Sequence, residues 1–150
     1  MVKHKQIHAT CIAIDGYGVL LRGPSASGKS DLALRLIHAG GELVADDRVN
    51  LLVRPDGLCA SAPRALYGLL EVRGLGILHL PATEKINITL VCELDSLKPI
   101  ERIPQDKSIC ISGIELPLIT ISPFEISSVL KVQLALKLVV GSIMRGHDTN

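Results

Sequence analysis

Apolar residues occur along the chain in short runs, and most of these runs have the length of a β-strand. Runs that are rich in β-branched residues and bounded by glycine, proline or aspartate are typical of strands. The pattern predicts eight strands, over residues 7–14, 19–21, 42–45, 49–53, 58–60, 86–94, 109–111 and 114–121. The strands at 49–53 and 58–60 flank the turn sequence RPDG and predict a β-hairpin. Residues 69–81 hold two glycines within an apolar stretch, and we expect this middle segment to be irregular.

Two segments have the apolar period of an α-helix. Residues 29–39 place Leu32, Leu36 and Ala39 on one face, and a pair of glycines follows, as expected beyond a helix C-terminus. A second helix is predicted to begin at SPFE, residues 122–125, which supplies a cap, a proline at the first helical position and an early acid. We expect it to run to about Met144 and the polar tail over residues 145–150 to fray.

These elements predict an α/β fold with a mixed β-sheet, few helices and a long C-terminal helix. Strands outnumber helices, and a strict alternation of strand and helix is absent, which favours a mixed sheet over a purely parallel one. A length of 150 residues, of which 47% are hydrophobic and 21% charged, fits one globular domain spanning residues 1–150.

Charge and composition exclude some function classes. The only aromatic residues are two tyrosines and one phenylalanine, too few for a platform that stacks nucleic-acid bases. The net charge is +1 without a run of basic residues, so we expect no nucleic acid and no anionic membrane as a partner. No stretch approaches the roughly 18–20 apolar residues of a membrane span. The four cysteines form no closely spaced pair, and we expect them to be reduced, in the cytoplasm.

The clearest chemical motif is GPSASGKS, at residues 23–30. It matches the phosphate-loop pattern G-x-x-x-x-G-K-[ST] at every fixed position and lies between a predicted strand and a predicted helix. Gly23 and Gly28 allow the backbone to curl so that its amides point at phosphate oxygens, and the helix N-terminus favours the negative charge. Lys29 supplies a cation for the phosphates and Ser30 a hydroxyl for Mg²⁺. The motif predicts nucleotide binding by eight residues: Gly23, Pro24, Ser25, Ala26, Ser27, Gly28, Lys29 and Ser30.

Three acids after the loop are candidates for the chemistry. Asp46 and Asp47 directly follow the short predicted strand, where an aspartate of a phosphate-loop enzyme can hold Mg²⁺ or align the attacking group. Adjacent residues on a strand point to opposite faces, so we expect the two aspartates to have different roles. Glu71 lies in an apolar segment beside Arg73, and spacing alone favours a structural ion pair over a metal ligand.

Three segments together resemble one family. The phosphate loop, the stretch LVADD at residues 43–47 and the stretch EVRGLGIL at residues 71–78 are similar to HPr kinase/phosphorylase. That family phosphorylates a serine of HPr, the small phosphocarrier protein of the sugar phosphotransferase system. EVRGLGIL is the most specific of the three, because unrelated phosphate-loop proteins do not carry it. The resemblance covers roughly residues 8–102, and since the usual member has a further N-terminal domain, we expect this chain to be the short form.

The resemblance implies roles that spacing cannot assign. It implies a catalytic set of four residues: His8, Lys29, Asp47 and Arg102. Asp47 matches the acid that accepts the serine proton, and Asp46 matches its less defined neighbour. Ser30 and Glu71 match the magnesium ligands, and residues 70–79 match a segment needed for catalysis in both directions. The implied cofactors are ATP and Mg²⁺, the implied partner is HPr, and the implied assembly is a homo-oligomer, commonly a hexamer.

The chain departs from the family pattern in two places. Ala26 and Ser27 stand where the family typically has a glycine, and we expect the backbone to tolerate them because Gly23 and Gly28 remain. A late loop with glycine and arginine, associated in the family with phosphorolysis of the phosphoserine, corresponds here to PLITISPFEISSVLK, which has neither residue. The sequence therefore leaves the reverse reaction open.

Two other functions stay open from the sequence. One is a small-molecule kinase of the same loop class, against which the absence of an arginine cluster counts, since such enzymes usually carry an arginine-rich lid. The other is a nucleotide-sensing module that binds a partner without catalysis.

Overall fold

A computed structural model describes residues 4–97 and 99–146 of the chain. Eleven strands lie within these ranges: β1 (His4–His8), β2 (Thr10–Ile14), β3 (Tyr17–Arg22), β4 (Glu42–Ala45), β5 (Arg48–Arg54), β6 (Gly57–Ser61), β7 (Leu69–Val72), β8 (Gly76–His79), β9 (Lys85–Leu94), β10 (Lys107–Ile111) and β11 (Ile114–Ile121). The α-helices of the same ranges are α1 (Lys29–His38) and α2 (Ser128–Val140), with a 3-10 turn at Arg64–Leu66. Neither α-helix described has the length and apolar character needed to cross a membrane.

Nine of these strands form one mixed sheet built around β9. The main path runs β1-β5-β6-β9-β3-β2-β4, and β11, which carries β10 at its outer edge, also pairs with β9. The first residues of β9 pair antiparallel with β6, its last four pair parallel with β11, and its other edge pairs parallel with β3. The predicted α/β class and mixed sheet are thereby confirmed.

The two faces of the sheet bury separate apolar clusters, because successive side chains of a strand point to opposite faces. In β3, Val19 and Leu21 pack in the same cluster as Leu32 and Leu36 of α1. Leu20, between them, belongs to the second cluster, on the face away from the helices. Each such side chain contributes about 1.5–3 kcal/mol on full burial. Both α-helices pack in the first cluster. A hydrogen bond from Ser30 of α1 to Asp46, the residue after β4, brings the start of α1 to the end of β4.

The first predicted strand is two strands. Residues 7–14 were expected to be continuous, but β1 and β2 are separated at Ala9 and have different partners. β1 pairs with β5, whereas β2 lies between β3 and β4. His8 therefore ends β1 and Thr10 begins β2, two strands that follow each other along the chain but are not neighbours in the sheet.

The middle segment forms a hairpin, so the expectation of irregular structure over residues 69–81 is wrong. β7 and β8 pair antiparallel from Leu69 opposite His79 to Val72 opposite Gly76. Gly74 and Gly76 have φ of 90° and 100°, the left-handed conformation that a tight connection requires and that glycine adopts without strain. The glycines that suggested irregularity are the turn residues of the hairpin.

The C-terminal helix is shorter than predicted at both ends. The Ser128 hydroxyl donates to the carbonyl oxygens of Ser122 and Glu125, each at 2.7 Å, and residues 122–127 form turns ahead of the helix. Gly141, with φ of 82°, ends the helix in the left-handed conformation. The prediction that Pro123 occupies the first helical position is therefore wrong. Pro123 lies in the turn before the helix, and its carbonyl oxygen accepts a hydrogen bond from the Arg35 side chain of α1. Of the tail expected to fray, residues 147–150 lie outside the described part of the chain.

Candidate active site

The phosphate loop connects β3 to α1, as the motif predicted. A Cβ on Gly23 would lie 2.6 Å from Ser27 Oγ and 3.2 Å from the carbonyl oxygen of Leu94, so a larger residue would displace the loop. Gly28, with φ of 95°, caps α1, and its carbonyl oxygen accepts the Leu32 amide at 2.9 Å. Gly23 is therefore required because neighbouring atoms approach it closely, and Gly28 is required because its backbone is left-handed.

Ala26 adopts a conformation that glycine would hold more easily. Its φ is 64°, in the left-handed region where a Cβ costs about 1–2 kcal/mol. The loop tolerates alanine here, as expected, but at the expense of local strain. The family's preference for glycine in this half of the loop thus has a physical reason.

Replacing Ala26 with glycine is expected to stabilise the fold. Removing the Cβ relieves the left-handed strain, and the larger chain entropy of glycine offsets part of the gain, leaving roughly 0.5–1 kcal/mol. For a chain of this size, the melting temperature should rise by roughly 1–4 °C. The control is Ala33→Gly in the middle of α1, which should lower stability by about 1 kcal/mol or more. If Ala26→Gly lowers the melting temperature as Ala33→Gly does, the left-handed conformation of Ala26 is contradicted.

Lys29 folds back on its own loop. Its Nζ donates to the carbonyl oxygens of Gly23 and Pro24, at 2.7 and 2.9 Å, and to Ser27 Oγ at 3.4 Å. The residue is 7% exposed. Burial lowers the pKa of the Lys29 ammonium, while the neighbouring carboxylates of Asp46 and Asp47 act in the opposite direction. The ammonium is therefore held within the loop that the motif assigns to phosphate, close to both aspartates.

Asp46 is the buried acid of the site. Its Oδ1 accepts hydrogen bonds from Ser30 Oγ at 2.9 Å and from Thr10 Oγ1 at 3.0 Å. Thr10 reaches it because β2 and β4 are antiparallel neighbours in which Cys11 lies opposite Ala45. Because Ser30 donates its proton to a carboxylate, the lone pairs of its oxygen stay available for a cation.

Asp47 has the opposite surroundings. Its side chain is 62% exposed, and its Oδ1 lies 2.8 Å from Nε2 of His8, the last residue of β1. Its φ of 69° is left-handed, a conformation that aspartate tolerates better than most residues, and its carbonyl oxygen accepts the Ala9 amide at 3.2 Å. The two adjacent carboxylates therefore differ in burial and in partners, as expected. The expected reason does not apply, because both residues lie in the bend between β4 and β5 and the backbone of Asp47 is left-handed.

The structure gathers most of the predicted site residues but not all. The phosphate loop, Lys29, Ser30 and the two aspartates form one region, and His8 joins it through Asp47. Glu71 is exposed on β7, and Arg102 is exposed between β9 and β10. Across residues 4–97 and 99–146, neither makes an ion pair or a side-chain hydrogen bond, so the Glu71–Arg73 pair that spacing favoured does not form.

Two residues at the loop were missed in the sequence. Thr10 gave no signal, because its contact with Asp46 depends on the register of two strands that are distant in sequence. Phe124 was noticed only as part of a helix start, but its ring atoms lie 3.0 and 3.1 Å from where a Cβ on Gly28 would be. The turn before α2 therefore packs directly on the phosphate loop.

Comparisons with known proteins show the family of the chain. A family model described as the HPr serine kinase C-terminal domain matches residues 1–136. The HPr kinase/phosphorylase of Exiguobacterium sibiricum is 36% identical over 127 residues, which are 77% of this chain and 41% of that protein. The HPr kinase/phosphorylase of Clostridium acetobutylicum is 42% identical over 101 residues, which are 62% of this chain and 33% of that protein. The chain thus spans less than half the length of either relative.

A solved structure is similar over almost the whole chain. The structure of the Hpr(Ser) kinase/phosphatase from Coxiella burnetii superposes with a TM-score of 0.76 at 26% sequence identity. The match covers 92% of this chain and 95% of that one. The fold is therefore shared over nearly the full length of both chains.

Proposed function

The chain belongs to the HPr serine kinase C-terminal domain family, and we propose that it is an ATP-dependent kinase acting on a serine of HPr. The observation that carries the proposal is the exposed carboxylate of Asp47, bound to His8 at 2.8 Å and close to Lys29 of the phosphate loop. A module that only binds nucleotide needs the loop but not this carboxylate. A kinase needs both, because the acceptor hydroxyl has to be aligned with the γ-phosphate and give up its proton.

Asp47 is proposed to position and deprotonate the serine hydroxyl. Its exposure leaves room for a protein substrate, which cannot enter a closed pocket. His8 bonds to Oδ1, and Arg48 Nε lies 4.0 Å from Oδ2, beyond hydrogen-bonding distance. One carboxylate oxygen is thus fixed by His8 and the other is available to take the serine proton.

Lys29 and the loop amides are proposed to stabilise the negative charge of the transferring phosphoryl group. The ammonium is already inside the loop, where it bonds to the carbonyl oxygens of Gly23 and Pro24. Phosphate oxygens would replace these carbonyl oxygens as acceptors when a nucleotide binds.

The donor set fits Mg²⁺. The Ser30 hydroxyl and the Asp46 carboxylate are oxygen ligands that contact each other beside the phosphate loop. Among the residues described, no group of three or more His, Cys, Asp or Glu forms a complete cage for a metal. Mg²⁺ does not need one, since it usually binds one or two protein groups together with substrate phosphates and water. Ser30 would be one ligand, held by its hydrogen bond to Asp46, and the ion would neutralise charge on the phosphates. Glu71, the second ligand that the resemblance implies, is exposed on β7 and makes no hydrogen bond to this pair.

Replacing Glu71 with alanine is expected to weaken phosphorylation by roughly tenfold at limiting Mg²⁺ and less at high Mg²⁺. The reason is that a lost ligand lowers metal affinity, which a higher concentration of the ion offsets. The measurement is the phosphorylation rate as a function of Mg²⁺ concentration. Glu84→Ala, which removes another exposed glutamate that is not among the predicted site residues, serves as the control and should change nothing. If added metal leaves the Glu71→Ala rate unchanged, Glu71 is not a ligand.

One assay tests the proposed function against its alternatives. The protein is incubated with ATP labelled at the γ-phosphate, Mg²⁺ and HPr, and the label is sought on serine. Transfer to HPr, and none to an HPr whose acceptor serine is replaced by alanine, is the expected result. Tight ATP binding without transfer to HPr would instead favour the nucleotide sensor, and ATP turnover with small-molecule acceptors would favour the small-molecule kinase.

Other properties that the sequence predicts or the resemblance implies stay predictions. These are the homo-oligomer, possibly a hexamer, the single-domain organisation over residues 1–150 and the cytoplasmic location. Phosphorolysis stays open as well, because residues 122–127, which pack on the phosphate loop through Phe124, hold neither glycine nor arginine. Light scattering tests the first of these properties directly.

A further inference from the structure

Thr10 is a fully buried polar residue at the edge of the proposed site. Only four polar or charged residues are buried in the described part of the chain, and three of them, Thr10, Lys29 and Asp46, lie together. A buried hydroxyl is costly unless it is hydrogen-bonded, and the partner of Thr10 is Oδ1 of Asp46, at 3.0 Å. A valine of nearly the same shape would suit a buried strand better, so packing does not explain a threonine here.

The Thr10 hydrogen bond restrains the Asp46 carboxylate. Oδ1 receives one donor from β2, through Thr10, and one from α1, through Ser30 at 2.9 Å. Oδ2 receives no donor from any residue described, and it is not sealed from solvent, since no buried side-chain oxygen or nitrogen in these ranges lacks a partner. Two donors from different elements on one oxygen oppose rotation of the carboxylate and leave the other oxygen facing accessible space.

We propose that Thr10 is a positioning residue for Mg²⁺, acting through Asp46 on Ser30. By holding Oδ1, Thr10 keeps Asp46 in place as the acceptor of the Ser30 proton, and Ser30 then presents its lone pairs to the cation. The inference rests on the proposed function, because it presumes a nucleotide bound with Mg²⁺. Thr10 itself touches neither the ion nor the phosphates.

The threonine hydroxyl has a second possible purpose, which is to stabilise the fold by satisfying a buried carboxylate. The two roles differ in what they change. A purely structural role predicts that loss of the hydroxyl lowers the melting temperature and affects nucleotide binding equally with and without Mg²⁺. A positioning role predicts a change confined to the response to Mg²⁺.

The test compares Thr10→Val with Thr10→Ser by titrating a fluorescent ATP analogue into each protein across a range of Mg²⁺ concentrations and in EDTA. Thr10→Val is expected to raise the Mg²⁺ concentration for half-maximal enhancement of binding by roughly 10- to 100-fold. Binding in EDTA should stay within about twofold of wild type, and Thr10→Ser, which keeps the donor, should stay within about threefold. Thr89→Val, at a half-buried position of β9 that makes no hydrogen bond to Asp46, is the control.

The outcomes separate this inference from the proposed function. A Mg²⁺ response of Thr10→Val equal to that of wild type, or an equal loss of binding in EDTA and in Mg²⁺, overturns the positioning role alone. A wild-type protein whose ATP binding ignores Mg²⁺ overturns both. If Thr10→Val does not fold, Thr10→Cys, which keeps the burial but donates weakly, takes its place with the same expected rise.

Discussion

Replacing Asp47 with asparagine is expected to lower serine phosphorylation of HPr by roughly 10²- to 10⁴-fold while ATP binding stays within about twofold of wild type. Asparagine has the shape of aspartate and still offers an oxygen to His8 Nε2, which lies 2.8 Å from the carboxylate. It also tolerates the left-handed backbone of this residue, whose φ is 69°. What asparagine cannot do is accept the serine proton. The measurements are initial rates at saturating ATP and HPr, together with nucleotide titrations.

Asp15→Asn is a closely matched control for this substitution. Asp15 also has a left-handed φ, of 51°, and is exposed, but it lies in the turn between β2 and β3. Asp15→Asn removes one surface carboxylate from a residue with the same backbone conformation, and it should leave the phosphorylation rate unchanged. Normal phosphorylation by Asp47→Asn would exclude Asp47 as the proton acceptor.

Replacing Lys29 with methionine is expected to lower phosphorylation by roughly 10²- to 10³-fold without unfolding the protein. The loss follows from removing the only loop cation that faces the phosphates. The stability should hold within about 1 kcal/mol, because burial disfavours the ammonium and lowers its pKa, whereas methionine fills the same buried space without charge. Rates and thermal unfolding are measured on the same preparation.

Lys137→Met is the control for the removal of a lysine charge. Lys137 is exposed near the end of α2, so its replacement should alter neither rate nor stability appreciably. If Lys29→Met kept more than about a tenth of the wild-type rate, the lysine would have no part in stabilising the transferring phosphoryl group. If Lys29→Met unfolded instead, the three hydrogen bonds that Lys29 makes to the loop would be the main support of the loop.

The sequence predicted the phosphate loop and α1 well because their determinants are local. The glycines, Lys29 and Ser30 occupy fixed positions within eight residues, and the apolar period of α1 is contained in the helix itself. The start of α2 shows the limit of such signals. Proline and glutamate after a serine favour a helix start, but the carbonyl of Pro123 bonds to Arg35, and the helix begins only at Ser128.

Contacts between distant segments were not predictable from spacing. The Thr10–Asp46 bond exists because β2 and β4 become neighbours, which neither strand encodes alone. For Glu71, in contrast, spacing predicted a contact that does not form: the nearby Arg73 suggested an ion pair that the described structure does not contain. Glu71 lies on β7, but Arg73 already lies in the turn after Val72, so the two side chains do not share the face of one strand. His8 shows that a resemblance can supply what spacing lacks, since the structure brings it to Asp47.

The adjacency of Asp46 and Asp47 has a mechanical consequence. One carboxylate is tied to α1 through Ser30 and the other to β1 through His8, while a single peptide unit joins them. Successive Cα atoms are about 3.8 Å apart whatever the surrounding loops do. If Asp46 sets the place of the phosphoryl donor and Asp47 that of the acceptor hydroxyl, the covalent geometry of one peptide unit fixes the separation of the two backbone positions. Small motions of the sheet or of the hairpin would then move donor and acceptor together. The distance between the phosphoryl donor and the acceptor hydroxyl would stay unchanged.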